Sequence, residues 1–262
     1  MISRGLTWAT TAFLCAVILA GVFAPWLGYD PVADVDPLRA NLPSSATDWL
    51  GTDHLGRDIA WRLLLSTSAF VGPGIAASLV AALLGVPAGA WAGFKGGWIA
   101  AAVRYAFGTL ASLPRVVLIL LVMSIYGNHL GILSLAAGVT YAPIVGESVY
   151  HRVADLRHAD YVVANRAYGL TEWRILWVHL VYALCGRSIV QLMLRLFGAF
   201  LTLETTLSYI GGFGVREPQP SWGNMLVFEW GRGASAAPAA IAIVLTVLAI
   251  ARTAHVVEIP RA

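Results

Sequence analysis

Six long apolar segments constrain this sequence more than any other feature. An α-helix needs about 20 consecutive apolar residues to cross a bilayer, and each segment supplies about that number. The segments are residues 6–27, 69–93, 105–126, 130–150, 188–212 and 233–251. The chain is 58% hydrophobic and only 12% charged, whereas soluble domains are about a quarter charged. The sequence therefore predicts an all-α, polytopic membrane protein with six transmembrane helices, and it excludes a soluble or disordered chain.

The distribution of basic residues predicts how these helices are oriented, since cytoplasmic loops carry an excess of lysine and arginine. With the N-terminus in the cytoplasm, ten basic residues fall in inside segments, Arg104 among them, and five fall in outside loops. Both termini are therefore predicted to be cytoplasmic. Segment 6–27 is interpreted as an uncleaved anchor and not as a signal peptide, because no convincing small-residue cleavage site follows its apolar core.

The sequence lacks the motifs of several enzyme classes. Its single lysine, Lys95, is not part of a phosphate-binding loop, so we expect no ATPase activity in this chain. The zinc-protease and nucleophile-elbow motifs are absent as well. Cys15 and Cys185 are scattered and indicate neither a disulfide framework nor a metal site. We therefore predict no catalytic residue, metal or cofactor in this chain, and we attribute its net charge of +3 to cytoplasmic arginines and not to nucleic-acid binding.

The second apolar segment carries a row of small residues, Gly85, Gly89 and Gly93, at a spacing of four. In lipid, such a row allows two helix backbones to approach closely. One interpretation is a helix at the centre of a bundle that must rearrange. The other is that small residues are common in membrane helices generally, and the sequence does not choose between the two.

The predicted inside loop, residues 151–187, interleaves charged and apolar side chains. This amphipathic pattern is typical of a helix that lies in the membrane interface or docks on a partner, and composition does not choose between them. Gly169 is expected to end the first helix, since glycine favours the left-handed conformation found at helix ends. The pattern therefore predicts two short helices joined by a turn.

Charged side chains also cluster in the first outside loop, at Asp53, His54, Arg57 and Asp58. Two carboxylates and one histidine could contribute to a metal site. However, Arg57 would oppose a cation and pair with a carboxylate. We therefore favour a hydrogen-bonded loop that orients the next helix, with Thr52 or Asp53 as the helix cap.

Ionisable residues within or near the spans are expected to face a bundle interior or water, because a charge at the midplane costs about 2.5–3.5 kcal/mol. They form either a polar lining for cargo or structural pairs, and structural pairing is favoured for Glu147, Arg195 and Glu204. The candidates for a pathway lining are Arg115, Glu204 and Ser208.

Four motifs resemble one family of membrane proteins. Residues 49–59 (WLGTDHLGRDI), 204–211 (ETTLSYIG) and 218–226 (PQPSWGNML) are similar to signatures of the dipeptide, oligopeptide and nickel permeases of binding-protein-dependent ABC importers. Residues 161–169 (YVVANRAYG) resemble the loop that forms the coupling helix in these permeases, although Val163 stands where the family usually has glutamate. The order and spacing agree over nearly the whole chain, and the resemblance is to the second, C-type, subunit.

The resemblance implies a type I ABC importer permease fold and a division of the chain into three parts. These are an anchor helix with an extracytoplasmic loop, a permease core of five transmembrane helices that contains the coupling loop, and a short cytoplasmic tail, at residues 1–68, 69–253 and 254–262. The coupling residues that it implies are Tyr161, Ala164, Arg166, Gly169, Trp173, Arg174 and Ile175. The residues of the extracytoplasmic signature loop are Gly51, Thr52, Asp53, Gly56, Arg57 and Asp58.

The implied function is half of a translocation pathway for di- or oligopeptides that works by alternating access in the inner or plasma membrane. The implied partners are a second permease subunit in a heterodimer, two cytoplasmic ATPases that bind ATP and Mg, and an extracytoplasmic substrate-binding protein. Nickel or a metal–metallophore complex is the alternative cargo. An ion-coupled secondary transporter is less favoured, because the sequence shows no clear internal repeat.

Overall fold

The computed structural model describes residues 2–28, 30, 33–229 and 236–258, and α-helix is its main element. Its α-helices are α1 Ile2–Phe23, α2 Ile59–Leu65, α3 Ser68–Lys95, α4 Gly97–Ser112, α5 Arg115–Tyr126, α6 Leu130–Leu156, α7 Asp160–Ala167, α8 Glu172–Arg174, α9 Gly186–Ile210, α10 Trp222–Glu229 and α11 Ala236–Glu258. A π-helical stretch, Ile175–Cys185, joins α8 to α9. The described residues contain no strand beyond one isolated bridge, so the predicted all-α fold class is confirmed.

The membrane crossings agree with the six predicted from the sequence. Among the described residues, five helical stretches are long and apolar enough to cross a membrane: Trp8–Trp26, Ile59–Lys95, Leu130–Leu156, Glu172–Ile210 and Ala236–His255. A sixth crossing results if α4 and α5, which are bent by 80° at their junction, form one span. Alone, α4 and α5 are only about 24 and 18 Å long at 1.5 Å per residue, which is less than the hydrocarbon thickness of about 30 Å.

The break between α4 and α5 has a local cause. Pro114 follows Leu113, which has an extended backbone with φ −85° and ψ 138°. A proline disfavours the helical conformation in the residue before it, so α4 ends there. The interruption at Pro114 and Arg115 was predicted, but the helix before it begins at Gly97, eight residues earlier than the predicted span. Arg104, which the sequence placed in an inside loop, lies within α4.

Helices also extend into the predicted loop 151–187 from both ends. Helix α6 continues to Leu156, and after α7 a second long helical stretch begins at Glu172 and runs to Ile210. A stretch without charges marks the part of a helix that lies in hydrocarbon, whereas the helix itself can continue into the polar zone. Because the prediction relied on uncharged stretches, it placed the end of the fourth helix too early and the start of the fifth too late. The segment between the two long helices is residues 157–171.

The glycine row of α3 packs directly against α6, as one of the two interpretations of the row predicts. A Cβ atom on Gly89 would lie 2.1 Å from the carbonyl oxygen of Gly146, and one on Gly85 would lie 2.6 Å from that of Ala142. Gly146 is also covered by the ring of Phe107 from α4, which would be 2.0 Å from an added Cβ. The backbones of α3 and α6 therefore touch without intervening side chains.

The chain divides into two compact units. Unit 1 comprises Met1–Ile75, Met123–Leu133 and Phe197–Thr253, and unit 2 comprises Ala76–Val122, Ser134–Leu196 and Ala254–Ala262. The glycine row and its α6 partner belong to unit 2.

Candidate functional site

Two arginines and two carboxylates of unit 1, Asp53, Arg57, Arg62 and Glu217, form a buried ion network. Arg57 donates from Nε to Asp53 Oδ2 and from Nη1 to Glu217 Oε2, both at 2.8 Å. Arg62 donates from Nη2 to Glu217 Oε1 at 2.7 Å and from Nη1 to Asp53 Oδ2. The side chains of Asp53, Arg57 and Arg62 are 0% exposed. Each guanidinium contacts both carboxylates, so the four formal charges compensate one another.

The tight turn before α2 positions Asp53. Its Oδ1 accepts hydrogen bonds from the backbone N–H groups of Leu55 at 2.8 Å and Arg57 at 2.9 Å. Gly56 has φ +80°, and a Cβ there would lie 1.8 Å from the carbonyl oxygen of Asp36. Both the backbone conformation and the lack of space therefore require glycine at this position of the signature loop.

Residues Gly51 and Thr52 attach the same turn to the preceding chain. Gly51 has φ +79° and would place a Cβ 2.5 Å from the carbonyl oxygen of Leu42. Thr52 accepts a hydrogen bond on Oγ1 from the N–H of Leu42 at 2.9 Å and donates to the carbonyl of Arg39. The signature loop is thus held by backbone contacts on both sides.

The helix cap of α2 differs from the expected one. Asp58 Oδ1 accepts from the N–H groups of Ala60 at 2.6 Å and Trp61 at 3.2 Å, so Asp58 is the cap. The expectation that Thr52 or Asp53 caps this helix is wrong, because both side chains are used within the turn. Sequence reasoning placed the helix start too early, near His54.

The ion network also determines the ionisation of Asp53. Burial alone would raise the pKa of the Asp53 carboxyl, but the charge of Arg62 and the hydrogen bonds and charge of Arg57 outweigh burial and hold this pKa below its usual value. Burial lowers the pKa of Arg57, but Glu217 and Asp53 raise it further, to a net value above the ordinary one. The oxygens of Asp53 are therefore occupied by guanidinium and backbone donors, which supports the hydrogen-bonded loop over a metal site here.

Glu217 is a member of the network that sequence reasoning missed, because it lies 160 residues from one arginine partner. Its only signal was its place directly before the 218–226 motif. The preceding loop is fixed by Asn128, whose side chain donates to the carbonyl of Gly214 and accepts from its N–H, both at 2.9 Å.

The 218–226 motif itself closes the other side of this region. Trp222 donates from Nε1 to the carbonyl of Leu63 at 3.0 Å, and its ring lies 4.7 Å from that of Phe70 between centroids. Asn224 accepts from the N–H of Ser221 at 3.0 Å and donates to the carbonyl of Gln219 at 2.8 Å. Two motifs far apart in the sequence therefore meet in one packed region of unit 1.

Two of the three predicted pathway residues, Glu204 and Ser208, are buried within unit 1. Ser208 donates to Glu204 Oε1 at 2.6 Å and accepts from the N–H of Val215 at 2.8 Å. A Cβ on Gly214 would lie 2.5 Å from Ser208 Oγ, so the 204–211 motif packs closely under this loop. Neither side chain reaches a surface of the chain, which favours the structural role already preferred for Glu204 over a pathway lining by Glu204 and Ser208.

The third predicted pathway residue, Arg115, is exposed in unit 2. It is the first residue of α5, and its guanidinium carbon lies 5.3 Å from the ring centroid of Tyr141 on α6. A cation over an aromatic face is attracted by the ring quadrupole. No carboxylate pairs with Arg115 within the described ranges of the chain.

The predicted coupling segment begins with α7, which is anchored to unit 2 from one side. Val162 is fully buried. The guanidinium of Arg166 lies 5.6 Å from the ring centroid of Phe94, near the end of α3, and its Nε donates to Glu172 Oε1 at 2.9 Å. Arg157 donates to the carbonyl of Gly93 at 3.4 Å. The segment therefore contacts the end of α3 at two points, Phe94 and Gly93.

The turn after α7 has the geometry that the sequence predicted at Gly169. Its φ is +78°, its N–H donates to the carbonyl of Arg166 at 2.9 Å, and Leu170 donates to Asn165 at 3.1 Å. This pair of hydrogen bonds is a Schellman motif, which ends a helix with a left-handed residue. Thr171 then caps α8 by accepting from the N–H of Arg174, so the predicted helix–turn–helix is confirmed.

Three large side chains of this segment, Val163, Tyr168 and Trp173, are exposed, and we call them the exposed aromatic patch. The side chain of Trp173 is 64% exposed, and its ring lies 5.4 Å from that of Trp177. The predicted coupling residues Tyr161, Ala164, Arg166, Gly169 and Arg174 are also exposed. Ile175 is 0% exposed, so it supports the segment from inside and offers no docking surface.

Comparison with known proteins gives a consistent result. Residues 85–257 match the family described as binding-protein-dependent transport system inner membrane component. A dipeptide transport system permease protein of Bacillus subtilis is 32% identical over 84% of this chain and 68% of its own length. An oligopeptide transport system permease protein of the same organism is 30% identical over 85% of this chain and 72% of its own length.

A nickel transport system permease protein of Escherichia coli is also similar, at 30% identity over 84% of this chain and 79% of its own length. The matched region contains α6, the exposed aromatic patch and the 204–211 and 218–226 motifs, while the signature loop lies before it. The chain therefore belongs to the family of binding-protein-dependent transport system inner membrane components, the permeases of ABC importers.

Proposed function

We propose that this chain forms half of a translocation pathway for di- or oligopeptides and works by alternating access. The observation that carries the proposal is the exposed aromatic patch on a segment that contacts the end of α3. A patch of this kind on a chain without an ATPase motif suits a docking surface for a separate ATPase. The dipeptide and oligopeptide permeases among the relatives support a peptide cargo.

The remaining partners follow from the same proposal. A second permease subunit completes the pathway as a heterodimer, and two cytoplasmic ATPases bind ATP and Mg, so this chain itself carries no cofactor. An extracytoplasmic substrate-binding protein delivers cargo to the side that holds the signature loop. Both termini are cytoplasmic. Within the pathway, Arg115 offers its exposed guanidinium to a cargo carboxylate.

Nickel or a metal–metallophore complex is the second candidate cargo, and the similarity to a nickel permease favours it. Uptake by the complete importer in proteoliposomes distinguishes the two. We expect ATP-dependent accumulation of radiolabelled dialanine in vesicles loaded with the binding protein. Accumulation of radioactive nickel without dialanine uptake would replace the peptide proposal by the metal proposal.

Cysteine labelling tests the orientation. Leu38 is 93% exposed in the first loop, and Tyr168 is 84% exposed after α7. In a variant lacking Cys15 and Cys185, a cysteine at Leu38 should react with an impermeant thiol reagent added outside the cell. One at Tyr168 should react only after the cells are opened. The reverse pattern would invert the proposed topology.

A further inference from the structure

Three ionisable side chains of unit 2 meet on helices that cross the membrane. Arg104 of α4 donates from Nε to Glu147 Oε1 of α6 at 3.4 Å, and Nε2 of His151 lies 3.3 Å from Glu147 Oε2. Their side chains are 50%, 34% and 63% exposed, in the order Arg104, Glu147, His151. We call these three residues the exposed charge cluster.

The cluster lies at membrane depth. Helix α6 has 27 residues, or about 40 Å at 1.5 Å per residue, and about 30 Å of that length fits in the hydrocarbon. The predicted span, residues 130–150, fills that thickness, so the overhang of α6 is residues 151–156. Glu147 then falls inside the apolar zone, and His151 lies near its edge.

The side of α6 that carries the cluster is not its packing side. Gly146 faces the backbone of Gly89 on α3, and Val149 and Val153 are buried. Glu147 and His151 lie on the less buried side of the same helix. An ionised group at this depth avoids lipid and faces a bundle interior or a water-filled cavity.

The contacts within the cluster are weak enough to exchange. Both contacts of the Glu147 carboxylate exceed 3.2 Å, and all three side chains remain partly exposed. Ion pairs with this exposure contribute little to the stability of a protein. A cargo group that carries a positive charge and several hydrogen-bond donors can therefore compete with Arg104 for the carboxylate.

From these observations we propose that the exposed charge cluster faces the water-filled translocation pathway and that Glu147 binds the free α-ammonium group of a peptide cargo. The inference rests on the proposed function and adds a specificity-determining residue to it. Arg115, farther along the pathway-forming helices, is the separate site for the cargo carboxylate. An N-acetylated peptide lacks the ammonium charge and therefore loses the interaction with Glu147.

Water accessibility tests the placement without any cargo. In the complete importer lacking Cys15 and Cys185, a cysteine introduced at Glu147 should react with a membrane-impermeant methanethiosulfonate reagent. The control is a cysteine at Leu83, an apolar residue of α3 that is 72% exposed in this chain. Lipid or a partner helix would shield Leu83 from the reagent. A cysteine at Glu147 that is as unreactive as the one at Leu83 would overturn the inference.

Uptake kinetics test the ligand. Glu147→Gln should raise the KM for dialanine about tenfold, the loss expected for a hydrogen bond to a charged group, with little change in kcat. Uptake of N-acetyl-dialanine should be unaffected, and Glu147→Asp should restore most of the affinity. Asp155→Asn, which removes a carboxylate farther along the same helix, is the matched control and should leave KM unchanged.

The cysteine-accessibility and uptake experiments together separate this inference from the proposed function on which it rests. If the wild-type importer takes up no dialanine, the peptide proposal fails, whereas the cysteine result still decides whether the cluster faces the pathway. If dialanine is transported and Glu147→Gln affects both peptides equally, the assignment of the ammonium site is wrong.

Discussion

The two groups of charges in this chain contain the same kinds of residues in opposite environments. In unit 1, the buried ion network joins two arginines and two carboxylates, with three of its contacts at 2.7–2.8 Å, and three of the four side chains are fully buried. In unit 2, the exposed charge cluster has contacts of 3.3–3.4 Å between partly exposed side chains. The role of a charge near a membrane segment therefore depends on its burial and on its pairing with opposite charges. These two properties decide whether the charge stabilises the fold or remains available to a ligand.

The largest expected effect tests this difference directly. Arg57→Met leaves Asp53 and Glu217 with one cation instead of two inside unit 1. Breaking a buried ion pair in this way costs about 3–5 kcal/mol. Arg104→Met removes a partly exposed cation and should cost at most about 1 kcal/mol. Thermal unfolding of the two purified variants in detergent measures both, and equal losses would contradict the comparison.

The next effect concerns the exposed side of unit 2, where side chains should act through partners and not through stability. Trp173→Ala should weaken binding of the ATPase by about 2 kcal/mol, or about thirtyfold in Kd, with the fold intact. Trp98, which is 79% exposed on α4, supplies the control variant Trp98→Ala. Binding of the purified ATPase to the two variants decides, and unchanged affinity for Trp173→Ala would exclude the exposed aromatic patch as the docking surface.

Gly56 of unit 1 and Gly169 of unit 2 both have a left-handed backbone conformation, and their substitution should have smaller effects on stability. A Cβ at Gly169 meets nothing within 4 Å, so Gly169→Ala should lose about 1 kcal/mol through backbone conformation alone. Gly56→Ala adds a collision with the Asp36 backbone and should lose more. Gly108→Ala, inside α4 with open space around it, should be neutral or slightly stabilising. Hydrogen exchange around each site measures the three changes in local stability. Similar losses of stability at Gly56 and Gly169 would show that the turn before α2 can relax.

The smallest effect is the response of the buried ion network to acid. The pKa of Asp53 is lowered in the folded chain, so the unfolded chain, with a pKa of about 3.9, takes up the proton first as pH falls. The stabilisation by Asp53 is therefore complete from pH 7 to 5 and is lost only below about pH 4. The difference between the denaturant midpoints of the wild type and Asp53→Asn, measured from pH 7 to below pH 4, tests this pH dependence. A difference that already shrinks between pH 7 and 5 would contradict the assigned shift.

The sequence predicted the parts of the fold that local patterns determine. Apolar stretches located five crossings, and a sixth if α4 and α5 form one span. Pro114 marked the break between α4 and α5, and Gly169 marked the turn after α7. In each of these cases, the physical cause lies within a few residues of the feature, so the sequence alone contains it. The spacing of small residues allowed the close contact at Gly89 as one of two interpretations, whereas its partner Gly146 is known only from the fold.

The sequence could not predict features that depend on distant partners. Glu217 joins the ion network only because the fold brings its loop to Arg57, and no local pattern announces this. For Glu204 the sequence favoured structural pairing over a pathway lining, but it did not show that the hydroxyl of Ser208 is its partner. Arg104 was assigned to a loop because a charge was assumed to end a helix, but α4 carries it to a carboxylate on α6.

The backbone contact between Gly89 and Gly146 has a mechanical consequence. Where two helices touch through side chains, a change of rotamer can absorb a small shift of one against the other. At this contact no side chain lies between α3 and α6, so a shift of α6 must be passed on as rigid-body motion or not occur at all. Glu147 is the next residue along α6, and α7 follows the end of the same helix. A displacement of α7 would therefore be transmitted along α6 and would move the Glu147 carboxylate.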